Sequence, residues 1–284
     1  MEKILPATRC GNTEFRWGEK TYVMGVINLS PDSFSGDGLG DDIEATVAQA
    51  RRMVDEGADI IDVGGESTRP GTTPLAATDF DEELRLVIPA IERLVAEVSV
   101  PISIDTYKSG VASRALAAGA SLINDIWGLK RDPGVARVAA AAGVPVILMA
   151  NQRDAPPKVG IMAKVLSDLA AGIKIAEEAG VPPGDIIVDP GIGFGKSLEQ
   201  NLELLNRLAE LKQLGKPILL GTSRKSMIGT VLDLPPDRRL EGNLAVTAIG
   251  IANGADMVRV HDVRPTVLVC RMSDAVIRRG TVGD

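Results

Sequence analysis

The sequence predicts an α/β fold: a single-domain (β/α)8 barrel of the TIM type, with a hairpin-like N-terminal extension. Three observations lead there. Helix-like segments repeatedly end in Gly and run straight into a short apolar stretch. Eight such stretches occur along the 284 residues. The chain is 45% apolar but only 3% aromatic, so its core is aliphatic, which suits parallel strands buried on both faces.

The punctuating glycines are Gly57, Gly119, Gly143, Gly180, Gly215 and Gly254. Each is expected in the left-handed conformation that closes a helix, which costs glycine little. The predicted strands are residues 22–28, 59–63, 102–105, 121–125, 146–149, 186–189, 218–222 and 257–261. Between them, Leu84, Val87, Ile88, Ile91, Val95 and Val98 fall at helical spacing, as do Leu204, Leu205, Leu208 and Leu211. Strands alternating with helices favour parallel pairing through right-handed crossovers. Eight units point to closure into a barrel; an open doubly wound sheet is the alternative. Residues 9–20 hold Gly-Asn and Trp-Gly pairs between possible short strands, and are expected to form a hairpin closing the barrel bottom. No linker or low-complexity tract divides the chain, so residues 1–284 read as one domain with its core at about 22–276. Residues 280–284 are expected to fray.

Composition removes several classes of function. A net charge of −7 argues against general nucleic-acid binding, which needs a basic stripe. Cys10 and Cys270 lie far apart without metal spacing, which fits a reducing compartment and no disulfide framework. The single histidine argues against zinc. The first residues lack the apolar core of a signal peptide. No run approaches the roughly 18 apolar residues of a membrane span. A cytoplasmic location is the expectation.

Active sites of such barrels lie at the C-terminal ends of the strands, and there the polar residues fall. The first strand ends in Asn28, the second in the stretch Gly64–Gly71, the third in Asp105 and the fourth in Asn124. The sixth ends in Asp189 followed by PGIGFGKS, the seventh runs into TSRKS, and the eighth carries Arg259 and His261. Asp105, Asn124 and Asp189 offer acceptors for a flat heterocycle with an amino-pyrimidinone edge. Arg69, Arg224, Lys225, Arg259 and His261 offer cationic donors for phosphate oxygens. Asn28 is a candidate ligand for Mg2+, which prefers oxygen and a bound diphosphate. Plainer readings stand beside these: any one Asp after a strand serves as a helix cap or turn, the glycines of 189–196 as turn chemistry, and His261 as a core residue. Gly195-Lys196-Ser197 imitates the end of a P-loop, but Pro190 stands where that motif needs Gly. No nucleophile elbow surrounds any Ser.

Seven short motifs, in order between residues 23 and 263, carry a family resemblance. Met24-Gly25-Val26-Ile27-Asn28 with Ser30-Pro31-Asp32-Ser33-Phe34-Ser35, and Gly64-Gly65-Glu66-Ser67-Thr68-Arg69-Pro70-Gly71, resemble the two signatures of dihydropteroate synthases. Ser103-Ile104-Asp105-Thr106, Ile123-Asn124-Asp125, Asp189 to Lys196, Ser223-Arg224-Lys225-Ser226 and Arg259-Val260-His261-Asp262 are similar to that family's remaining marks. The resemblance implies condensation of 6-hydroxymethyl-7,8-dihydropterin diphosphate with 4-aminobenzoate, giving 7,8-dihydropteroate and diphosphate. It implies that Asp105, Asn124, Met149, Asp189, Lys225 and Arg259 hold the pterin. Thr68, Pro70, Phe194, Lys225 and Ser226 would frame 4-aminobenzoate, and Asn28, Thr68, Arg69, Arg259 and His261 would surround the diphosphate, with Asn28 on Mg2+. Asn28, Arg69, Asp105, Lys225, Arg259 and His261 are the residues it places at the chemistry. It further implies sulfonamide competition with 4-aminobenzoate, loops after the first two strands that close over the site, and a homodimer through helices near residues 242–252 and 266–276.

One departure is visible. After the fifth strand the family commonly shows Met-His, whereas this chain reads Leu148-Met149-Ala150-Asn151-Gln152-Arg153. A pterin-binding paralogue without catalysis is therefore one alternative. A methyltransferase moving a methyl group from a methylated folate to a corrinoid protein is another, but it has no use for Arg69, Lys225-Ser226 and the Arg259/His261 pair.

Overall fold

The computed structural model describes residues 5–30, 38–66, 80–154 and 160–278. A small antiparallel hairpin comes first: β1 (Thr8–Cys10) and β2 (Thr13–Phe15), paired Thr8 to Phe15. Then β3 (Tyr22–Asn28), α1 (Ile43–Asp55), β4 (Ile60–Gly64), α2 (Phe80–Glu97), β5 (Ile102–Asp105) and α3 (Ser109–Ala117) follow. The alternation continues with β6 (Leu122–Asp125), α4 (Gly134–Ala142), β7 (Val146–Met149), α5 (Ile161–Glu178) and β8 (Ile186–Asp189). It closes with α6 (Leu198–Asn206), β9 (Leu219–Gly221), α7 (Ser226–Leu232), α8 (Leu240–Ala252), β10 (Met257–Val260) and α9 (Val263–Ile277).

The eight strands β3–β10 form one parallel sheet in the order β8-β7-β6-β5-β4-β3-β10-β9. The two edges meet through a parallel bridge between Val188 and Ile218, with Val188 N–H donating to Pro217 O at 2.9 Å. The barrel is closed and the open doubly wound sheet is excluded. Four predicted strands differ from the observed ones at an end: β4, β6 and β9 start one residue later, β4 also runs one residue further, to Gly64, and β9 and β10 stop one earlier. Ile218, for example, has only its isolated bridge, so the ladder starts at Leu219.

All six punctuating glycines have positive φ, from 63° at Gly215 to 110° at Gly119. The helix side was less legible. In α2 the buried stripe is Leu86, Val87, Ala90, Ile91 and Leu94, whereas Val95 lies on the exposed side. The stripe read from Leu204 to Leu211 is not one helix: α6 ends at Asn206, and Leu208–Leu214 winds as a tighter 3-10 segment. Leu204, Leu205, Leu208 and Leu211 are all buried regardless, since burial of each side chain is worth about 1.5–3 kcal/mol whatever the exact winding.

Two apolar layers result. Outward-facing strand residues such as Ile61, Ile104, Ile123 and Val188 pack under the helices. Inward-facing Met24, Ile60, Leu122, Ile147, Ile187, Leu219 and Met257 fill the lower barrel. The hairpin plugs that end, as expected: Phe15 and Tyr22 meet edge-on at 4.8 Å, Trp17 and Tyr22 at 5.5 Å, and Trp17 Nε1 donates to Thr8 Oγ1 at 2.9 Å. Carboxylates at this end serve the backbone. Asp59 accepts from Val23 N–H at 2.8 Å, Asp256 from Ile218 N–H at 3.0 Å and Asp274 from Thr21 N–H at 2.7 Å. The expected fraying of residues 280–284 lies outside the described residues.

Candidate active site at the C-terminal mouth of the barrel

Side chains on a strand alternate faces with a period of two. Two residues beyond four of the interior apolar residues, the inward face turns polar at the mouth. Ile60 is followed by Asp62, Leu122 by Asn124, Ile187 by Asp189 and Met257 by Arg259, while Ile147 leads to Met149 and Leu219 to Gly221. Strand register brings neighbours level, with Asp105 opposite Asn124 and Met149 opposite Asp189. Gly221 lies beside both long side chains: a Cβ there would stand 3.8 Å from Arg259 Cβ and 3.9 Å from Lys225 Nζ.

Arg259 organises one side of the mouth. Its Nε donates to Asp62 Oδ2 at 2.6 Å and its Nη2 to Asp105 Oδ2 at 2.8 Å. The same Asp62 oxygen accepts from Asn124 Nδ2 at 3.0 Å. Burial pushes the Asp105 carboxyl up to about 8, with Arg259 pulling it down and the Asp62 charge adding to the rise. Burial also raises Asp189, against the opposing pull of Lys225. Asp189 Oδ1 accepts from Gly191 N–H at 2.6 Å, a turn contact of the plainer kind anticipated for an Asp after a strand.

Lys225 precedes α7, and its Nζ donates to Ile192 O. Burial brings this lysine down to about 8, although Asp189 favours its charge. Its Nζ lies 4.6 Å from the centre of the Phe194 ring, and the Arg153 guanidinium lies 4.5 Å from the same ring. Phe194 and Tyr107 border a rim cluster of Ile126, Trp127 and Met149. Ser226 is exposed at the start of α7. His261 Nδ1 lies 2.9 Å from Ser223 Oγ, and its backbone N–H reaches the same oxygen at 3.2 Å. Arg224 is paired side-on with Asp262, at 2.9 and 3.3 Å, so its charge is largely committed away from a phosphate. Asn28 ends β3 level with Gly64, and its carbonyl accepts from Leu39 N–H at 2.9 Å. Thr68, Arg69 and Pro70 lie outside the described residues. The segment they belong to departs from Glu66, which accepts from Lys108 Nζ at 2.9 Å; that ammonium also meets the buried Glu83 at 2.6 Å.

The loop after β8 depends on its glycines. Gly191 and Gly195 both have φ of 70°, and a Cβ on either would overlap backbone, Ala150 O in one case and the Gln152–Arg153 peptide in the other. Lys196, set aside in the sequence as a false P-loop lysine, staples this loop: Nζ donates to Ala150 O at 2.8 Å, Gly191 O at 2.7 Å and Phe194 O at 3.2 Å. The departure after β7 is equally tied down. Asn151 Nδ2 donates to Ile126 O at 3.0 Å, and Gln152 Nε2 to Asp168 at 2.8 Å.

Sequence reading missed Asp62 and Lys196. Asp62 was discoverable as the one charged residue inside the run Ile60-Ile61-Asp62-Val63-Gly64, on the same face as Ile60. Lys196 carried no such signal, because its three carbonyl partners come from two separate loops.

Acceptors packed against cationic donors in a half-buried barrel mouth suit a flat, N–H-bearing heterocycle with an anionic substituent. The sequence pattern described as pterin binding enzyme matches residues 24–261, which include every candidate site residue. A dihydropteroate synthase of Clostridium beijerinckii is 52% identical over 272 residues, covering 95% of this chain and 100% of that one. The structure of a Clostridium difficile dihydropteroate synthase in the presence of pteroic acid superposes with a TM-score of 0.86 at 49% identity, covering 92% and 98% of the two chains. That of the Xanthomonas albilineans dihydropteroate synthase with 4-aminobenzoic acid gives a TM-score of 0.87 at 42% identity, covering 96% and 98%. The chain belongs to the dihydropteroate synthase family of pterin-binding enzymes.

Proposed function

We propose that this chain condenses 6-hydroxymethyl-7,8-dihydropterin diphosphate with 4-aminobenzoate, giving 7,8-dihydropteroate and diphosphate. The observation that carries the reading is the inward set Asp105, Asn124 and Asp189 level with Arg259 at one barrel mouth. The bond that breaks joins the pterin methylene carbon to a diphosphate oxygen; the bond that forms joins that carbon to the aryl amine nitrogen, which then sheds a proton. Electron density from the pterin shares the positive charge that develops on the methylene. The leaving diphosphate therefore needs charge neutralisation more than the neutral aryl amine needs a base.

In this reading Asp105, Asn124, Asp189 and Lys225 hold the pterin edge against Met149, and Arg259 lies on its ring and reaches the diphosphate. His261, Arg69, Thr68 and Asn28 complete the diphosphate site. Phe194, Lys225, Ser226, Thr68 and Pro70 frame 4-aminobenzoate, and sulfonamides compete there. The donor set at Asn28 suits Mg2+ held largely by its substrate: one neutral oxygen donor ends β3, and no cluster of three His, Cys, Asp or Glu is placed for a metal among the described residues. When bound, Mg2+ would add charge neutralisation on the diphosphate.

Assembly and location are part of the same reading. On α9, Leu268, Met272 and Val276 form an exposed apolar stripe four residues apart, and the helix packed beside it, α8, exposes Ile249. Such a stripe on outer helices fits an isologous homodimer. Both cysteines are free and buried, which fits a cytoplasmic location; no helix of the described residues is long and apolar enough to cross a membrane.

The test is diphosphate release from the pterin diphosphate with Mg2+, with and without 4-aminobenzoate. Release that requires 4-aminobenzoate, with dihydropteroate appearing in step, is the expected result. Tight pterin diphosphate binding without turnover would instead favour the silent paralogue.

A further inference from the structure

We propose that Asp62 is a positioning residue that sets how Asn124 and Arg259 present themselves to the ligand. This inference rests on the function proposed above. Asp62 is fully buried on the inner face of β4, yet its two partners come from β6 and β10, each two strands away in the sheet. One oxygen, Oδ2, receives both Asn124 Nδ2 at 3.0 Å and Arg259 Nε at 2.6 Å. The other, Oδ1, is buried without a protein partner.

The consequence for Asn124 is directional. An amide offers a carbonyl oxygen and an NH2 group, and nothing in its shape decides which one faces a ligand. A carboxylate can only accept, so Asp62 captures the NH2 and repels the carbonyl. Asn124 is left presenting Oδ1 to the mouth, beside the acceptors Asp105 and Asp189. The three become a row of acceptors matched to ring and amino N–H groups, where an unanchored Asn124 would present either end. Arg259 is held likewise. With Nε on Asp62 and Nη2 on Asp105, the guanidinium is fixed at two corners, leaving Nη1 and its flat faces for the diphosphate and the ring.

A structural role alone explains Asp62 poorly. A buried carboxylate with one unpaired oxygen is expensive, and an apolar residue continuing the layer of Ile60 and Leu122 would serve the core better.

The experiment is calorimetric titration of wild-type protein and Asp62→Asn with two probes: 6-hydroxymethylpterin without phosphate, reporting Asn124, and inorganic diphosphate with Mg2+, reporting Arg259. Asp62→Asn should weaken both by about ten- to a hundredfold, the range for a lost charge-assisted hydrogen bond, with its melting temperature near that of wild type. In an Asn124→Ala background, Asp62→Asn should cost much less of the pterin affinity, because the group it orients is gone. Asp62→Ser, which also removes the charge, should repeat the pattern. Wild-type affinity for both probes in Asp62→Asn, or an undiminished loss in the Asn124→Ala background, overturns the inference. Wild-type protein that binds neither probe overturns the proposed function and this inference with it.

Discussion

Asp105 and Arg259, 154 positions apart in the chain, meet across the barrel mouth with Nη2 donating to Oδ2 at 2.8 Å. The pair sits where β5 and β10 end, and burial raises the carboxyl to about 8 in spite of the guanidinium beside it. Burial therefore keeps a proton on Asp105 to higher pH in the folded protein than in the unfolded chain.

A pH dependence with a definite sign comes from this. Between about 4 and about 8 the folded state binds the extra proton, so the stability contribution of Asp105 is present at low pH and lost as pH rises through the folded value. Asp105→Asn should flatten that fall, read as the difference in urea midpoint between pH 5 and pH 8. The ligand should also act on this proton. Pterin N–H groups favour the carboxylate, so binding at pH 7 should release protons, seen as different calorimetric heats in phosphate and Tris buffers. Equal heats in both would remove the assigned contact.

Arg259→Ala should hurt the diphosphate-bearing pterin far more than a pterin lacking phosphate. Both ligands lose the ring contact and the pairing that holds Asp62 and Asp105, but only the first also loses the cation that faces its anion. Loss of a charge-assisted bond corresponds to about 1.5–3 kcal/mol, or tenfold and upward in affinity. Equal losses for the two ligands would speak against the anion role.

Asp189→Ala should abolish measurable pterin binding, because buried N–H groups of the ligand would have no acceptor opposite them. Unchanged affinity in calorimetry would refute the assignment. The Gly191 N–H contact at 2.6 Å is lost as well, so a melting curve on the same variant separates loop damage from ligand loss.

Lys196→Met should loosen the loop after β8 without touching any ligand group. Three carbonyls, those of Ala150, Gly191 and Phe194, lose their shared donor, and each buried acceptor left unpaired costs about 1–3 kcal/mol. The expected result is a lower melting temperature and faster amide exchange at Gly191, Gly193 and Gly195. Gly191→Ala should destabilise the same loop from the other side, since its φ of 70° and its contact with Ala150 O both exclude a Cβ. Unaltered exchange in both variants would count against the staple.

The sequence by itself determined the barrel and most of its rim. The six capping glycines, the eight apolar runs and the polar residues ending them are local signals, each governed by backbone sterics and burial within a few neighbours, as Gly119 at φ 110° and Ile187 two before Asp189 illustrate. The tertiary structure alone decided the pairings: that Arg224 is spent on Asp262, that Lys196 holds three carbonyls together, and that one oxygen of Asp62 serves both Asn124 and Arg259. Such relations depend on which strand ends and loops curvature brings face to face across a closed barrel, so that Lys196 meets Ala150, Arg224 meets Asp262 and Asp62 meets Asn124 and Arg259 across tens to hundreds of positions in the chain.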